Sequence, residues 1–227
     1  MKKYKLLYFV SEDEYFLSHK LDQAKSALNN NYEIMIISNF STHEDEIKSH
    51  GFKTAKLNFD RKSINPLKEI FCFLKFLLIF KNFKPDIIQS IALKPILYSS
   101  VLSFLFAKKT KMIFCVVGLG YLFINKNILT KFIKKIYLLT IKFFICKKKS
   151  IFVFQNTDDL RIFKKHKVLT SVTTEIIRGS GVNTNFFKKK NVTKIYDLIF
   201  HSRLLYDKGI LELMKAIEEL KKKKNFT

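Results

Sequence analysis

The stretch KLLYFVSEDEYFLSHKLDQAKSALNNNYEIMIIS, residues 5–38, decides the fold. Lys5–Val10 is a short, continuously apolar run that ends at Ser11 and reads as a buried strand. The period then changes. Phe16, Leu17, Leu21, Ala24 and Leu28 recur on one face of a helix over Tyr15–Leu28. Asn29, Asn30 and Asn31 break it, and Glu33–Ser38 is a second apolar run. Strands that are apolar throughout, rather than alternating, fit a parallel sheet covered on both faces.

Outward from this unit the alternation continues. Asp45–His50 reads as a short polar helix, with Gly51 suited to the left-handed position past its end. Phe52–Leu57 is a third strand, and Pro66 opens a helix to about Phe80. Asp86–Ser90 is strand-like and Pro95–Phe106 is a strongly apolar helix. Lys111–Val117 is a strand stopped by Gly118-Leu119-Gly120, and Ile128–Cys146 is a long helix. Ser150–Phe154 is a strand, Thr157 with Asp158 and Asp159 starts a helix, and Thr173–Ile177 closes the series. The expected class is α/β, a doubly wound, mostly parallel Rossmann-like sheet over residues 1–183. Residues 184–196 read as a polar, basic linker. Asp197–His201 reads as a new strand and Ile210–Lys224 as a helix with Leu211, Met214, Ile217 and Leu220 on its apolar side. One strand and one helix cannot bury a core alone. Residues 197–227 therefore read as the start of a second, truncated α/β domain.

Composition narrows the classes. The chain has 227 residues, 48% of them hydrophobic, enough for a core without disulfide or metal staples. The longest charge-free stretches, Pro95–Ala107 and Met112–Asn125, fall short of the roughly 18 to 20 residues that a bilayer crossing needs. Residues 1–10 hold no secretory apolar segment. A cytoplasmic chain, peripheral at most to the inner membrane, is expected. The formal net charge is +23, and only Arg61, Arg161, Arg178 and Arg203 among the basic residues are arginine. One reading is a solvated lysine-rich surface, as AT-rich coding would produce. The other is an anionic partner. Scarce Arg and the lack of a recognisable module argue against nucleic acid. Cys72, Cys115 and Cys146 lie singly in apolar runs and read as buried free thiols. The His residues have no metal-ligand spacing, so neither a metal nor a cofactor is expected.

In doubly wound sheets ligands sit at the carboxyl ends of the strands. That rule selects Ser11 with Glu12, Asp13 and Glu14, then Gly118 and Gly120, then Gly179, Ser180 and Gly181. Glu12 or Asp13 could bind a sugar hydroxyl or act as a base, or could simply be acid at a helix start. His19 reads as a weaker catalytic candidate than as a partly buried structural residue. Gly118 and Gly120 suit either a close anion or sugar approach or a tight turn. The Gly179 loop reads as a cleft wall or, more simply, as the entry to the linker. Arg203 and Lys208, just before Gly209, could grip a diphosphate by fork and by point charge.

Taken together, several blocks resemble a known family: residues 8–13, 15–20, 94–98, 118–123, 154–156, 179–183 and 203–209. They are similar, in order, to the retaining two-domain (GT-B) glycosyltransferases of family 4, nearest the branch building bacterial capsule, O-antigen and other lipid-linked glycans. The resemblance implies an N-terminal acceptor-binding domain and a C-terminal domain for a nucleotide-diphosphate sugar. It assigns Lys94 to the acceptor side, Gly118 and Gly120 to the cleft, and Arg203 and Lys208 to the donor diphosphate. It implies a lipid-linked glycan acceptor and hexosyl or N-acetylhexosaminyl transfer. The family's usual His before Lys94 is replaced by Gln89-Ser90-Ile91, and its paired glutamates lie past Thr227. The expectation is a truncated or split gene product, little active alone, with a separate chain supplying the rest. A competing reading is a non-catalytic basic module at the anionic inner-membrane surface. Lys131, Lys134, Lys135 and Lys142 lie at helical spacing beside Phe132, Ile136 and Phe143, as in a helix resting on anionic lipid. The plainer alternative packs that helix on the sheet and leaves its lysines in water.

Overall fold

The computed structural model describes residues 3–59, 63, 65–107, 109–124, 127–145, 149–193, 195–202, 204 and 208–223. The chain divides into two units, Met1–Gly181 and Val182–Thr227.

The first unit is one parallel sheet. Its strands are β1 (Tyr4–Glu12), β2 (Tyr32–Asn39), β3 (Lys53–Lys56), β4 (Ile87–Ile91), β5 (Lys111–Val116), β6 (Ser150–Phe154) and β7 (Thr173–Ile176). They lie in the order β3-β2-β1-β4-β5-β6-β7. The chain winds outward from β1 through β2 to β3, then returns to β4 on the other side of β1. The order reverses there, so β1 and β4 flank the crevice where such sheets bind ligands. Registers such as Leu7↔Met35 and Leu7↔Ile88 make β1 the shared partner of both halves.

Successive strand residues point to opposite faces. Leu7, Phe9, Ile88, Met112, Phe114 and Phe152 are buried on one, under α4 (Pro66–Phe83), α5 (Leu93–Leu105) and α7 (Ile128–Phe144). Leu6, Tyr8, Val10, Ile34 and Ile36 are buried on the other, under α1 (Asp13–His19), α2 (Leu21–Asn29) and α3 (Glu44–Ser49). Phe9 is central, with ring centroids 4.7 Å from Phe76 and 5.7 Å from Phe59. The remaining helices of this unit are α6 (Gly120–Ile124) and α8 (Thr157–Lys165). Asn65, Asn127 and Asn156 cap α4, α7 and α8 with their side-chain oxygens, as short polar side chains do at helix starts.

Several expectations need correction. The single helix expected over Tyr15–Leu28 is two, divided at Lys20, whose backbone leaves the helical region. The Ser18 hydroxyl donates to the Glu14 carbonyl at 2.7 Å, a back-bond that bends helices. Cys115 is buried as expected, but Cys72 is only half-buried on α4, and Cys146 lies outside the described residues.

The second unit holds α9 (Ile210–Lys223). The expected strand at Asp197–His201 does not form; the segment is irregular. A strand needs a hydrogen-bonded neighbour, and none is present among the described residues of this unit. Leu211, Met214 and Leu220 on α9 are exposed.

Candidate functional site

Three adjacent strands bring three loops together at the carboxyl edge of the first unit. They are the end of β1 with its turn into α1 (Ser11 to Asp13) and the segments after β4 (Ala92 to Lys94) and β5 (Val117 to Gly120). At the parallel-strand spacing they span about 10 Å.

After β1, Ser11 is buried and Glu12 exposed. Asp13 is 2% exposed and its carboxylate is fully engaged. It accepts from the Ser41 N–H at 2.8 Å, the Ser41 hydroxyl at 3.0 Å, the His43 N–H at 3.2 Å and the Glu14 N–H at 3.0 Å. Burial alone would push its carboxyl up, but these donors hold it below the ordinary carboxylate value. A saturated, weakly basic carboxylate makes a poor proton acceptor. Asp13 instead ties the loop after β1 to the loop after β2. His19 is exposed, not partly buried; its ring stacks on Tyr15 with centroids 4.3 Å apart.

After β4, Ala92 has φ 79° and ψ 165°, a region that is nearly glycine-only, and its N–H donates to the Cys115 carbonyl at 3.1 Å. This strain sits at the switch point and carries no signal in the sequence. Lys94 follows in the first turn of α5. Its ammonium lies 2.7 Å from Glu69 Oε1 on α4 and donates to the Ser63 carbonyl at 3.0 Å. The other Glu69 oxygen accepts from the buried Tyr98 hydroxyl. Burial, and then the Glu69 carboxylate, push the Tyr98 phenol well up. The starts of α4 and α5 are thus locked together beside the crevice. Sequence reasoning missed Glu69, because an acid in a helix's first turn has an ordinary role there.

After β5, Gly118 has φ 126° and Gly120 φ 55°. Nothing lies within 4 Å of where a Cβ would stand at either. Their positive φ explains the glycines, and the space beside them is open to a ligand. Gly179, Ser180 and Gly181 lie elsewhere. They follow β7, the sheet edge, four strand spacings from β1, or about 19 Å. They are two strand spacings, or about 10 Å, from the loop after β5. In the second unit Lys208 is exposed just before α9, and Arg203 lies outside the described residues. Among the described residues no group of three His, Cys, Asp or Glu could hold a metal ion.

The family described as "Glycosyl transferase 4-like" matches residues 5–156, more than half of the chain. The fold resembles a glycosyltransferase from Rickettsia africae ESF-5, with TM-score 0.64 and 20% identity, covering 97% of this chain and 58% of that one. It also resembles Anabaena Alr3699/HepE, solved with UDP and glucose (TM-score 0.57, 12% identity, 82% and 47% covered). A third is sucrose-phosphate synthase from Thermosynechococcus elongatus (TM-score 0.55, 11% identity, 77% and 48% covered). The chain spans about half the length of these solved structures. No curated protein matches the sequence.

Proposed function

The chain belongs to the glycosyl transferase 4-like family, and we propose that it provides the acceptor-binding part of a retaining transfer from a nucleotide-diphosphate sugar to a lipid-linked or glycan acceptor. The observation that carries this reading is the grouping of the β1, β4 and β5 loops at the switch point, within the segment that matches the family.

In this reading the acceptor hydroxyl lies over the loops of Gly118, Gly120 and Lys94. The Lys94–Glu69 pair holds the rim, and the open space beside the two glycines admits the sugar ring. The bond between the donor's anomeric carbon and its diphosphate breaks as the acceptor oxygen bonds to that carbon on the same face, and the acceptor's proton passes to the departing diphosphate oxygen. Negative charge grows on the departing diphosphate. Arg203 and Lys208 neutralise it, the interaction that strengthens most in the transition state. No metal or further cofactor takes part. Residues of the donor half supply the remaining chemistry, and Asp13 is structural. A hexose or N-acetylhexosamine moves, in the making of bacterial surface polysaccharide at the cytoplasmic face of the membrane.

The test is a panel of UDP-linked hexoses and N-acetylhexosamines with polyprenyl-diphosphate acceptors, read by mass spectrometry for transfer and by titration for acceptor binding. The reading requires saturable acceptor binding that Gly118→Val weakens by about tenfold, on the order expected for a side chain forced into a ligand's space. It is sunk if no acceptor binds and no nucleotide sugar supports transfer.

A further inference from the structure

The helices over one sheet face are apolar on two opposite sides. On α4, Phe76, Leu77 and Phe83 face the core, while Leu67, Phe71, Leu74 and Leu78 are exposed. The exposed set recurs at steps of four, three and four, one stripe along a helix. On α7, Tyr137, Leu138 and Ile141 face the core, while Leu129, Phe132, Ile136, Leu139 and Phe143 are exposed at steps of three, four, three and four. Phe71 is 71% and Phe143 70% exposed. The α5 helix lies between them. Its Tyr98 bonds to Glu69 of α4, and its Phe104 ring stands 5.5 Å from Phe144 of α7. At ordinary helix spacing the stripes run about 20 Å apart in one layer.

The charge is segregated in the same way. Residues 1–60 contain eight Lys and nine acidic residues. Residues 61–156 contain eighteen Lys and Arg and only two acids, Glu69 and Asp86. Glu69 is already paired with Lys94. Lys131, Lys135 and Lys142 are exposed along the border of the α7 stripe, as are Lys68 and Lys75 beside that of α4. The four lysines of α7, with Leu138, Leu139 and His166, line an open concavity of about 470 Å³. Burial, then Lys134 and Lys165, push His166 below its ordinary value, as expected beside cations.

We propose that the outer face of α4 and α7 docks on an anionic lipid leaflet, the two apolar stripes entering the interfacial region and the α7 lysines taking lipid phosphates. Apolar area supplies the attachment and cationic borders the preference for anionic headgroups. A membrane accounts for both features, whereas a purely apolar protein partner would leave this band of lysines unpaired. Among the described residues no helix is long and apolar enough to cross a bilayer. The proposal shares with the function above only the membrane as workplace. Its test uses no sugar donor, so either can fail alone.

The experiment is sedimentation of the full chain with vesicles of phosphatidylcholine alone, or with phosphatidylglycerol added, in 150 mM KCl. Preferential binding to the anionic vesicles is expected. The double variant Phe71→Ser, Phe132→Ser should lose binding to both kinds by about tenfold or more. The triple variant Lys131→Gln, Lys135→Gln, Lys142→Gln should lose the anionic preference, again by about tenfold or more. All of these positions are exposed, and an unchanged melting temperature and circular dichroism spectrum confirm folding. Equal binding to both vesicle types, or variants that bind like the parent, overturn the proposal. So does self-association in solution that the Phe71→Ser, Phe132→Ser variant abolishes, which would make this face an interface between copies.

Discussion

The two helical layers of the sheet solve the same problem differently. The layer of α1, α2 and α3 is apolar toward the sheet and polar toward water; among the described residues from Lys5 to Pro66 no large hydrophobic residue is exposed. The layer of α4, α5 and α7 buries its inner side just as well, yet carries apolar stripes outside. Core formation therefore explains the whole apolar pattern of the first layer and only half that of the second. The surplus needs a separate cause, and a surface with both grease and lysine is the kind that meets a leaflet.

The largest expected effect probes the inner side that the layers have in common. Phe9→Ala removes the ring between Phe59 and Phe76 and should cost about 3–5 kcal/mol in urea unfolding. Next comes the polar tie peculiar to the first layer. Asp13→Ala leaves the donors of Ser41 and His43 without their carboxylate and should cost about 2–3 kcal/mol. The pH dependence has a definite sign. The folded carboxyl is lowered, so its stabilisation is present above the unfolded value near 3.9 and is lost as pH falls through the folded value. Acid unfolding of the parent should therefore steepen below about pH 4, and the variant should lose that component. In the second layer, a double-mutant cycle on Glu69→Gln and Lys94→Met should give a coupling of about 1 kcal/mol. Ala92→Gly relieves a left-handed backbone and should stabilise by about 1 kcal/mol, read as a higher urea midpoint. The smallest effect makes the sharpest contrast: Phe71→Ser, on the outside of α4, should change stability by no more than about 0.5 kcal/mol. A large loss there would mean that the outer stripe belongs to the fold after all.

The sheet was readable because every strand of the first unit is a short apolar run between helical periods. Each of its seven strands forms within two residues of the expected bounds. The strand at Asp197–His201 failed for the complementary reason: its composition suits a strand, but pairing requires a partner that local sequence does not supply. The crevice was half readable. Strand order, which brings the loops of Ser11, Lys94 and Gly118 together, follows from the doubly wound pattern, and the same order removes Gly179 to the far edge. The roles within the crevice were not readable. The bonds from Ser41 to Asp13 and from Lys94 to Glu69 join residues 28 and 25 positions apart. Which face of α7 meets the sheet was open in the sequence for a related reason. Phe132, Ile136 and Phe143 could equally have faced the sheet, and only the packed helix shows that Tyr137, Leu138 and Ile141 do.

The position of β1 inside the sheet, between β2 and β4, has a consequence for how the chain is made. Leu6 pairs with Ile34 on one side but with Ile87 on the other. At the usual pace of synthesis, the ribosome needs about 4–16 s to deliver the 81 residues from Leu7 through Ile87. For that interval an apolar hydrogen-bonding edge stands open while the greasy α4 emerges beside it, so the nascent protein should depend on chaperones well before its last strand is translated.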